Sequence, residues 1–251
     1  MAKRQLYGLL GRVLGHSFSR SYFTEKFNRE GIDADYLNFE IPDISGLRPL
    51  VDRHPELCGF NVTIPYKQTI IPLLDGGLDD VAQRVGAVNV VRVLPDGRLR
   101  GYNTDAPAFA GSLRRLLSGR AKPSRALVLG TGGASRAVAA ALSGMDIAHV
   151  FVSRRAGEGL LTYDDLTPDI IGACGLIVNA TPSGMWPRTD DAPCIPYAAL
   201  TPRHVCFDLV YNPDPTLFMR LAAERGAATC SGLGMLHLQA EGSWRIWNQK
   251  D

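Results

Sequence analysis

Short, nearly continuous apolar runs alternate with helical spacings along the second half of the chain. Apolar runs cover residues 126–129 and 149–152, and a glycine-rich turn followed by an alanine-rich segment lies between them. This order predicts a strand, a turn, a helix and a second strand. Apolar runs at 175–182 and 204–211 predict two more strands. Continuous apolar strands alternating with helices are typical of a parallel sheet covered on both faces, which indicates an α/β fold.

A helix is predicted after the last of these strands, over residues 215–225. Asp214 is expected to be its N-cap, because a short acidic side chain can accept from the first free backbone N–H groups. Pro215 is expected at the first helical position, and Gly226 lies just beyond the end.

The first half of the chain is less regular. Strands are predicted at residues 5–12, 35–41 and 57–64, helices at 19–30, 44–53 and 106–117, and a hairpin at 88–102 that turns on Pro95, Asp96 and Gly97. Near the C-terminus, one face of a predicted helix carries Leu236, Ala240, Trp244 and Trp247. We expect this face to cover the first of two domains. The first comprises residues 1–104 completed by the helix at 233–251, and the second comprises residues 105–232.

The composition excludes some classes of function but does not identify one. Of the 251 residues, 45% are hydrophobic and 21% are charged, as in an ordinary globular protein. The formal net charge of +2 gives no reason to expect nucleic acid or an anionic membrane as a partner. No signal peptide or membrane span is predicted, and neither the five cysteines nor the five histidines show metal-ligand spacing. We expect a cytoplasmic protein with reduced thiols and no metal site.

The turn after the strand at 126–129 is the clearest chemical signal, and it consists of Gly130, Thr131, Gly132, Gly133 and Ala134. The first glycine permits a tight turn, and the second lets the backbone approach a pyrophosphate at a helix N-terminus. The third glycine of the G-x-G-x-x-G pattern is replaced by Ser135, a small residue, so the match is a variant. The alternative is a glycine loop that only connects a strand to a helix.

The end of the next strand indicates which dinucleotide is bound. Enzymes that select NAD usually carry an acidic residue there, which binds the ribose 2′-hydroxyl. This chain instead has Ser153, Arg154 and Arg155, and guanidinium groups can pair with the 2′-phosphate of NADP. The sequence therefore favours NADP, and a solvated basic turn is the alternative.

Polar residues also cluster at three places in the first half. Ser17 and Ser19 share one side of the chain if their segment is extended. Lys67 and Thr63 follow a predicted strand, and Asp105 ends the segment GYNTD. Each has an ordinary alternative, since Ser19 and Asp105 could be N-caps and Lys67 a solvated surface lysine.

Taken in order, these segments resemble the shikimate dehydrogenase family over nearly the whole chain. Between residues 16 and 240 the chain carries HSFS, NVTIPYK, GAVN, GYNTD, GTGGA, NATPSGM, DLVYNP and GLGMLHLQA. The resemblance implies a two-domain α/β protein with an N-terminal substrate domain and a Rossmann-like, doubly wound NADP-binding domain. It also implies the reversible, NADPH-dependent reduction of 3-dehydroshikimate to shikimate in aromatic amino acid biosynthesis, by a monomer or homodimer.

The resemblance also implies a role for each matched residue. The substrate carboxylate would be bound by Ser17 and Ser19 with Tyr211 nearby, and the ring hydroxyls by Thr63, Asn89 and Gln239. The reacting centre would hold Lys67 and Asp105. NADP would be contacted by the segment from Gly130 to Ala134, by Ser153 and Arg154 with Arg155 beside them, and by Leu209 and Gly232 at the nicotinamide.

Three alternatives remain beside this interpretation. A quinate/shikimate dehydrogenase is the nearest, although Ser19 and the arginines favour shikimate and NADP. A catalytically silent dinucleotide or substrate sensor would need neither Lys67 nor Asp105, and a methylene-tetrahydrofolate dehydrogenase fits HSFS and GYNTD poorly. Arg12 and Arg20 stand where the family usually has proline, which leaves the carboxylate side of the site open.

Overall fold

The computed structural model describes residues 4–15 and 18–249. The chain divides into two compact units, one comprising Met1–Thr104 with Gln239–Asp251 and the other Asp105–Leu238.

A five-stranded mixed sheet is the centre of the first unit, with the strand order β2-β1-β3-β4-β5. Its strands are β1 (Gln5–Gly11), β2 (Ala34–Glu40), β3 (Leu57–Val62), β4 (Val90–Val93) and β5 (Leu99–Tyr102). Strand β1 is parallel to both neighbours, whereas β4 is antiparallel to β3 and β5. The helices of this unit are α1 (Phe18–Glu30), α2 (Leu47–Arg53), α3 (Tyr66–Thr69) and α4 (Asp80–Val85).

Successive side chains of β1 point to opposite faces of the sheet, so each face carries its own apolar core. Leu6 and Leu10 belong to a cluster with residues of α2 and α3. Tyr7 belongs to the other cluster, which is largely aromatic and includes Phe23 and Phe27 of α1 and Trp247 near the C-terminus. The indole N–H of Trp247 donates to the carbonyl of Val91 at 3.0 Å, which fixes the last helix to the sheet by a hydrogen bond as well as by packing.

Six parallel strands form the sheet of the second unit, in the order β11-β10-β9-β6-β7-β8. They are β6 (Arg125–Leu129), β7 (Ala148–Ser153), β8 (Leu160–Thr162), β9 (Leu176–Asn179), β10 (Val205–Asp208) and β11 (Ala228–Cys230). Counted within this unit, the order is 6-5-4-1-2-3, which is that of dinucleotide-binding sheets. The order reverses between β6 and β9.

Helices cover both faces of this sheet. They are α5 (Asp105–Leu116), α6 (Gly133–Ser143), α7 (Pro168–Ala173) and α8 (Leu217–Ala223). The unit also contains the first residues of α9 (Leu233–Trp247). Cys206 packs in one cluster with Ile171 of α7 and Phe218 of α8. Its neighbour Phe207 points to the other face, where its ring lies 4.9 Å from that of Phe109 in α5. The predicted α/β fold with a doubly wound parallel sheet is therefore confirmed.

One local prediction was wrong. The N-cap of α8 is Thr216, whose hydroxyl accepts from the N–H of Met219 at 3.2 Å, and not Asp214. The carboxylate of Asp214 instead accepts from the hydroxyl of Ser231 at 2.7 Å, so the helix begins two residues later than predicted. Ser19 lies in the first turn of α1, in agreement with the helix predicted over residues 19–30, so its segment is not extended.

Several short elements were not predicted, namely α3, α4, α7, β8 and β11. Each has between three and six residues, which is too few to show a clear period of hydrophobicity. No helix among the described residues is long and apolar enough to cross a membrane.

Candidate active site

The loop after β6 lies where the strand order reverses, next to the end of β9. Gly130 begins this loop with a φ of +104°, a conformation that a residue with a side chain rarely adopts. A Cβ atom there would lie 3.1 Å from the methyl carbon of Thr181 and 3.3 Å from the carbonyl oxygen of Ala180. Glycine is therefore required both by the turn and by the close approach of the neighbouring loop.

The N-terminus of α6 is open in the way that a bound pyrophosphate requires. Its N-cap is Gly132, so no side chain accepts from the first backbone N–H groups of the helix. Cβ atoms built at Gly132 and Gly133 would meet nothing within 4 Å. Below the loop, the hydroxyl of Ser135 is buried and has no hydrogen-bond partner among the described residues. The segment can thus accept a phosphate-bearing group without moving any side chain.

Two arginines follow β7 at the same edge of the sheet. Arg154 and Arg155 are exposed, and neither forms an ion pair within the described part of the chain. The N–H of Arg155 donates to the hydroxyl of Ser153 at 3.2 Å, which shapes the turn. Arg154 lies close enough to Tyr163 to oppose the effect of burial, which raises the pKa of that phenol. No carboxylate is present at this strand end to bind a ribose hydroxyl.

The ends of β9 and β10 are joined by a cluster of side chains, all buried except the half-buried Thr181, and we call Asn179, Thr181, Asp208 and Thr216 the Asp208 cluster. The carboxylate of Asp208 accepts from the Asn179 amide at 2.9 Å and from the Thr216 hydroxyl at 2.6 Å. It also accepts from the backbone N–H of Val210 at 2.9 Å. Asn179 in turn accepts from the N–H of Thr181 at 3.1 Å and from its hydroxyl at 2.6 Å.

Burial dominates the electrostatics of this cluster. It raises the pKa of Asp208 from 3.8 to about 6, although three hydrogen bonds from Thr216, Val210 and Asn179 lower it. The nearby carboxylate of Asp214 raises it further. Cys206 also lies near this carboxylate, and burial raises the pKa of its thiol to about 12.

Leu209 and Gly232, which the sequence assigns to one pocket, are in direct contact. A Cβ atom at Gly232 would lie 2.1 Å from the carbonyl oxygen of Leu209, so no other residue fits there. The N–H of Gly232 donates to the carbonyl of Val210 at 3.1 Å. Tyr211, two residues beyond Leu209, is 37% exposed, and partial burial raises the pKa of its phenol.

In the first unit, Lys67 and Thr63 follow β3 within one tight turn. The N–H of Tyr66 donates to the carbonyl of Thr63 at 2.9 Å, and α3 then carries Lys67. The carbonyl of Lys67 accepts from the N–H of Val88 at 2.7 Å, which brings the segment GAVN beside it. The lysine is half-buried, not a freely solvated surface side chain.

Asn89 is fixed by its neighbours from the segment GYNTD. Its side-chain amide donates to the Thr104 hydroxyl at 3.0 Å, and its side-chain oxygen accepts from the Thr104 N–H at 2.7 Å. Thr104 directly precedes Asp105, which is the first residue of α5 and is 2% exposed.

A partly buried series of hydrogen bonds, which sequence reasoning missed, joins several candidates in the first unit. The Ser19 hydroxyl hydrogen-bonds to the phenol of Tyr36, and Tyr36 donates to the side-chain oxygen of Asn61 at 2.9 Å. Asn61 donates to the Ser243 hydroxyl at 2.8 Å, and Ser243 donates to the carbonyl of Gln239 at 2.9 Å. Asn61 also donates to the Asn89 carbonyl at 3.3 Å.

One residue of these hydrogen bonds has a signal in the sequence, since Asn61 is the first residue of the motif NVTIPYK. Tyr36 and Ser243 belong to no motif and meet Asn61 only through the fold. Of the predicted site residues, Ser17 lies outside the described residues. No three His, Cys, Asp or Glu side chains of residues 4–15 and 18–249 gather as a possible metal site.

Comparison with known proteins decides the family. Residues 9–91 match the family model of the shikimate dehydrogenase substrate binding domain. The NADP(+)-dependent shikimate dehydrogenase of Halothermothrix orenii is 36% identical over 268 residues, which cover 97% of this chain and 90% of the relative. The chain belongs to the shikimate dehydrogenase family. The resemblance inferred from the short motifs is thereby confirmed.

Solved structures of this family share the whole fold. Shikimate 5-dehydrogenase of Thermus thermophilus, determined with NADP(H) and shikimate, has a TM-score of 0.84 at 30% identity and covers 97% of this chain and 93% of its own. Quinate dehydrogenase of Corynebacterium glutamicum, determined with NAD, has a TM-score of 0.87 at 27% identity, with 97% and 93% coverage. Members of one fold therefore differ in both substrate and cofactor.

In this shikimate dehydrogenase family member, the raised pKa of Asp208 predicts a measurable effect of pH on stability. The folded state holds this proton more tightly than the unfolded chain, so the stabilisation is complete below about pH 4 and is lost as pH rises through about 6. The difference corresponds to about 3 kcal/mol. As the pH rises from about 4 to about 7, the free energy of unfolding should fall less in Asp208→Asn than in wild type. Urea denaturation at each pH measures this difference.

Asp165→Asn is the matched control for that measurement. Hydrogen bonds from Thr162 lower the pKa of the exposed Asp165 carboxylate, so this group stabilises the fold at neutral pH and not in acid. The two variants should therefore change the pH dependence in opposite senses. Parallel curves for wild type and Asp208→Asn would contradict the assignment.

Proposed function

We propose that the chain catalyses the reversible, NADPH-dependent reduction of 3-dehydroshikimate to shikimate, as a step of aromatic amino acid biosynthesis. The observation that carries the proposal is the near-complete coverage of relatives named NADP(+)-dependent shikimate dehydrogenase, at up to 36% identity among those compared. The open loop at Gly130, Gly132 and Gly133 and the two arginines after β7 support a dinucleotide with a 2′-phosphate.

We assign cofactor binding to residues 105–232 and substrate binding to residues 1–104 with the helix at 233–251. In the second unit, the backbone from Gly130 to Ala134 would hold the pyrophosphate, and Ser153, Arg154 and Arg155 the 2′-phosphate. Leu209 and Gly232 would flank the nicotinamide. These residues fit the cofactor because the loop requires glycine and leaves its helix N-terminus uncapped.

The substrate assignments concern polar residues that belong to the first unit in sequence, together with Tyr211. Ser17, Ser19 and Tyr211 would bind the carboxylate, and Thr63, Asn89 and Gln239 the ring hydroxyls. Asn89 supports this role because its side chain is fixed by Thr104 and is 5% exposed. A rigid polar group loses little entropy when it binds a hydroxyl.

The chemistry requires a proton at the oxygen of the reacting carbonyl. When bound, NADPH supplies the hydride to the carbonyl carbon of the substrate. Lys67 would donate a proton from its ammonium group to the oxygen, which would otherwise carry the developing negative charge. Asp105 would accept a hydrogen bond from that ammonium group and from the hydroxyl that forms, which keeps both in place. In the reverse direction Lys67 would take up the proton.

Two alternative functions for this site predict different experimental results. A quinate/shikimate dehydrogenase is supported by the similarity to a quinate dehydrogenase determined with NAD. A silent sensor would bind the same molecules without turnover. We further propose that the protein acts in the cytoplasm, as a monomer or homodimer.

Steady-state oxidation of shikimate and of quinate, each with NADP and with NAD, tests the proposed function. We expect the highest kcat/KM for shikimate with NADP, because the arginines can bind the 2′-phosphate that NAD lacks. A higher kcat/KM for quinate would establish the quinate/shikimate alternative. Binding of NADPH without turnover of either substrate would establish the sensor.

Replacement of Lys67 tests its chemical role. We expect Lys67→Ala to lower kcat by about 10²- to 10⁴-fold with little change in the affinity for shikimate, because only the transition state needs the proton. Lys122→Ala is the control, since Lys122 is exposed and its ammonium group donates to the carbonyl of Met145. Normal turnover by Lys67→Ala would exclude this lysine from the chemistry.

Arg154→Ala tests the recognition of the 2′-phosphate. Loss of a charge-assisted pair should raise the KM for NADP by about 10-fold or more and leave the KM for NAD nearly unchanged. Arg203→Ala, another exposed arginine of the second unit, serves as the control. If Arg154→Ala raised the KM for NADP and the KM for NAD by the same factor, Arg154 would not recognise the 2′-phosphate.

A further inference from the structure

Asp208 lies below the loop that carries two of the assigned binding residues, Leu209 and Tyr211. Its carboxylate is completely buried and accepts three hydrogen bonds, from three different segments of the chain. One comes from the N–H of Val210, the residue between Leu209 and Tyr211. The carboxylate therefore holds the backbone of this loop directly.

The other two bonds connect that loop to its surroundings. Asn179 ends β9, and its amide also donates to the carbonyl of Ser183 at 3.2 Å, so the loop after β9 is held from the same point. Thr216 begins α8, and its hydroxyl accepts from Met219 while it donates to Asp208. One carboxylate thus fixes residues 180–183, residues 209–211 and the start of a helix.

Contacts beyond the loop carry this constraint to Gly232. The carbonyl of Val210 accepts from the N–H of Gly232, and the carbonyl of Leu209 occupies the space where a Cβ of residue 232 would lie. A displacement of Val210 must therefore move Leu209 and Gly232 together. Reactions that depend on alignment lose about 100-fold in rate for a displacement of about 1 Å.

We propose that Asp208 is a positioning residue, whose carboxylate holds Leu209 and Gly232 where the nicotinamide ring must lie for hydride transfer. The inference rests on the proposed function. Asp208 acts through Val210, Asn179 and Thr216. An ordinary buried anchor would affect only stability, whereas a positioning residue affects cofactor binding and turnover beyond any loss of stability.

Three variants separate these roles. Asp208→Asn keeps the shape but replaces one acceptor oxygen with a donor, so at least one of the three groups that donate to Asp208 loses its acceptor. Thr216→Val removes a single hydroxyl and remains informative if Asp208→Asn does not fold. Thr167→Val is its matched control, because Thr167 caps α7 through the N–H of Ile170, as Thr216 caps α8, but is not bonded to Asp208.

The first measurement uses the protein without ligand. Amide hydrogen exchange at Val210 and Thr181 should become about 10-fold faster in Asp208→Asn and in Thr216→Val, and not in Thr167→Val. The Kd for NADPH, followed by its fluorescence, should rise by about 5-fold or more in the first two variants only.

The second measurement uses turnover. We expect kcat to fall by about 10- to 100-fold in Asp208→Asn, with the KM for shikimate within about 3-fold of wild type. The kinetic isotope effect on kcat, with shikimate deuterated at the carbinol carbon, should increase as hydride transfer becomes slower than product release. A wild-type protein that did not oxidise shikimate would refute the proposed function, and exchange and NADPH binding would still test Asp208.

The proposal would be overturned by unchanged exchange at Val210 in both Asp208→Asn and Thr216→Val. It would equally be overturned if Thr167→Val weakened NADPH binding as much as Thr216→Val, because a lost helix cap would then explain the effect. If the KM for shikimate rose while kcat and NADPH binding were unchanged, Asp208 would not position the residues beside the nicotinamide, and the proposal would be refuted.

Discussion

The reversal of strand order between β6 and β9 is the constraint on which the second unit depends. At this point the chain leaves two adjacent parallel strands toward opposite sides of the sheet, which opens a crevice at their carboxyl ends. The loops that border the crevice have to turn sharply and approach each other closely. Glycine at position 130 and the hydrogen bond between Asn179 and Asp208 meet these two requirements.

In the first unit, hydrogen bonds between side chains meet the needs of polar groups inside the fold. Its sheet is covered by apolar clusters on both faces, so polar groups that enter this interior need partners there. Asn61 meets that requirement with bonds to Tyr36, Ser243 and the Asn89 carbonyl, which use both its acceptor and its donor. Of these partners, Asn89 is assigned to the substrate, and Ser243 donates in turn to the carbonyl of Gln239, which is also assigned to it. The packing of the core and the position of these residues are therefore determined together.

The sequence predicted the long strands and helices, because their hydrophobic periods extend over enough residues to be distinctive. It also identified the motifs that carry the family resemblance, including GTGGA and NATPSGM. The prediction of the N-cap of α8 was wrong because Asp214 and Thr216 are both residue types that favour this position. Their hydrogen bonds to Ser231 and Asp208, which lie outside the helix, determine which of them caps it. Tyr36 and Ser243 could not be found for a similar reason, since their partners are far apart in the chain.

The turn that follows β7 has a consequence for how such proteins diverge. Residues 154–159 are all exposed, and they connect β7 to the edge strand β8. Exposed positions without ion pairs contribute little to the free energy of folding. Substitutions that alter the charge of this turn can therefore accumulate without disturbing either core. Because we assign recognition of the 2′-phosphate to this turn, the choice between the two nicotinamide dinucleotides could change between lineages while the scaffold is preserved.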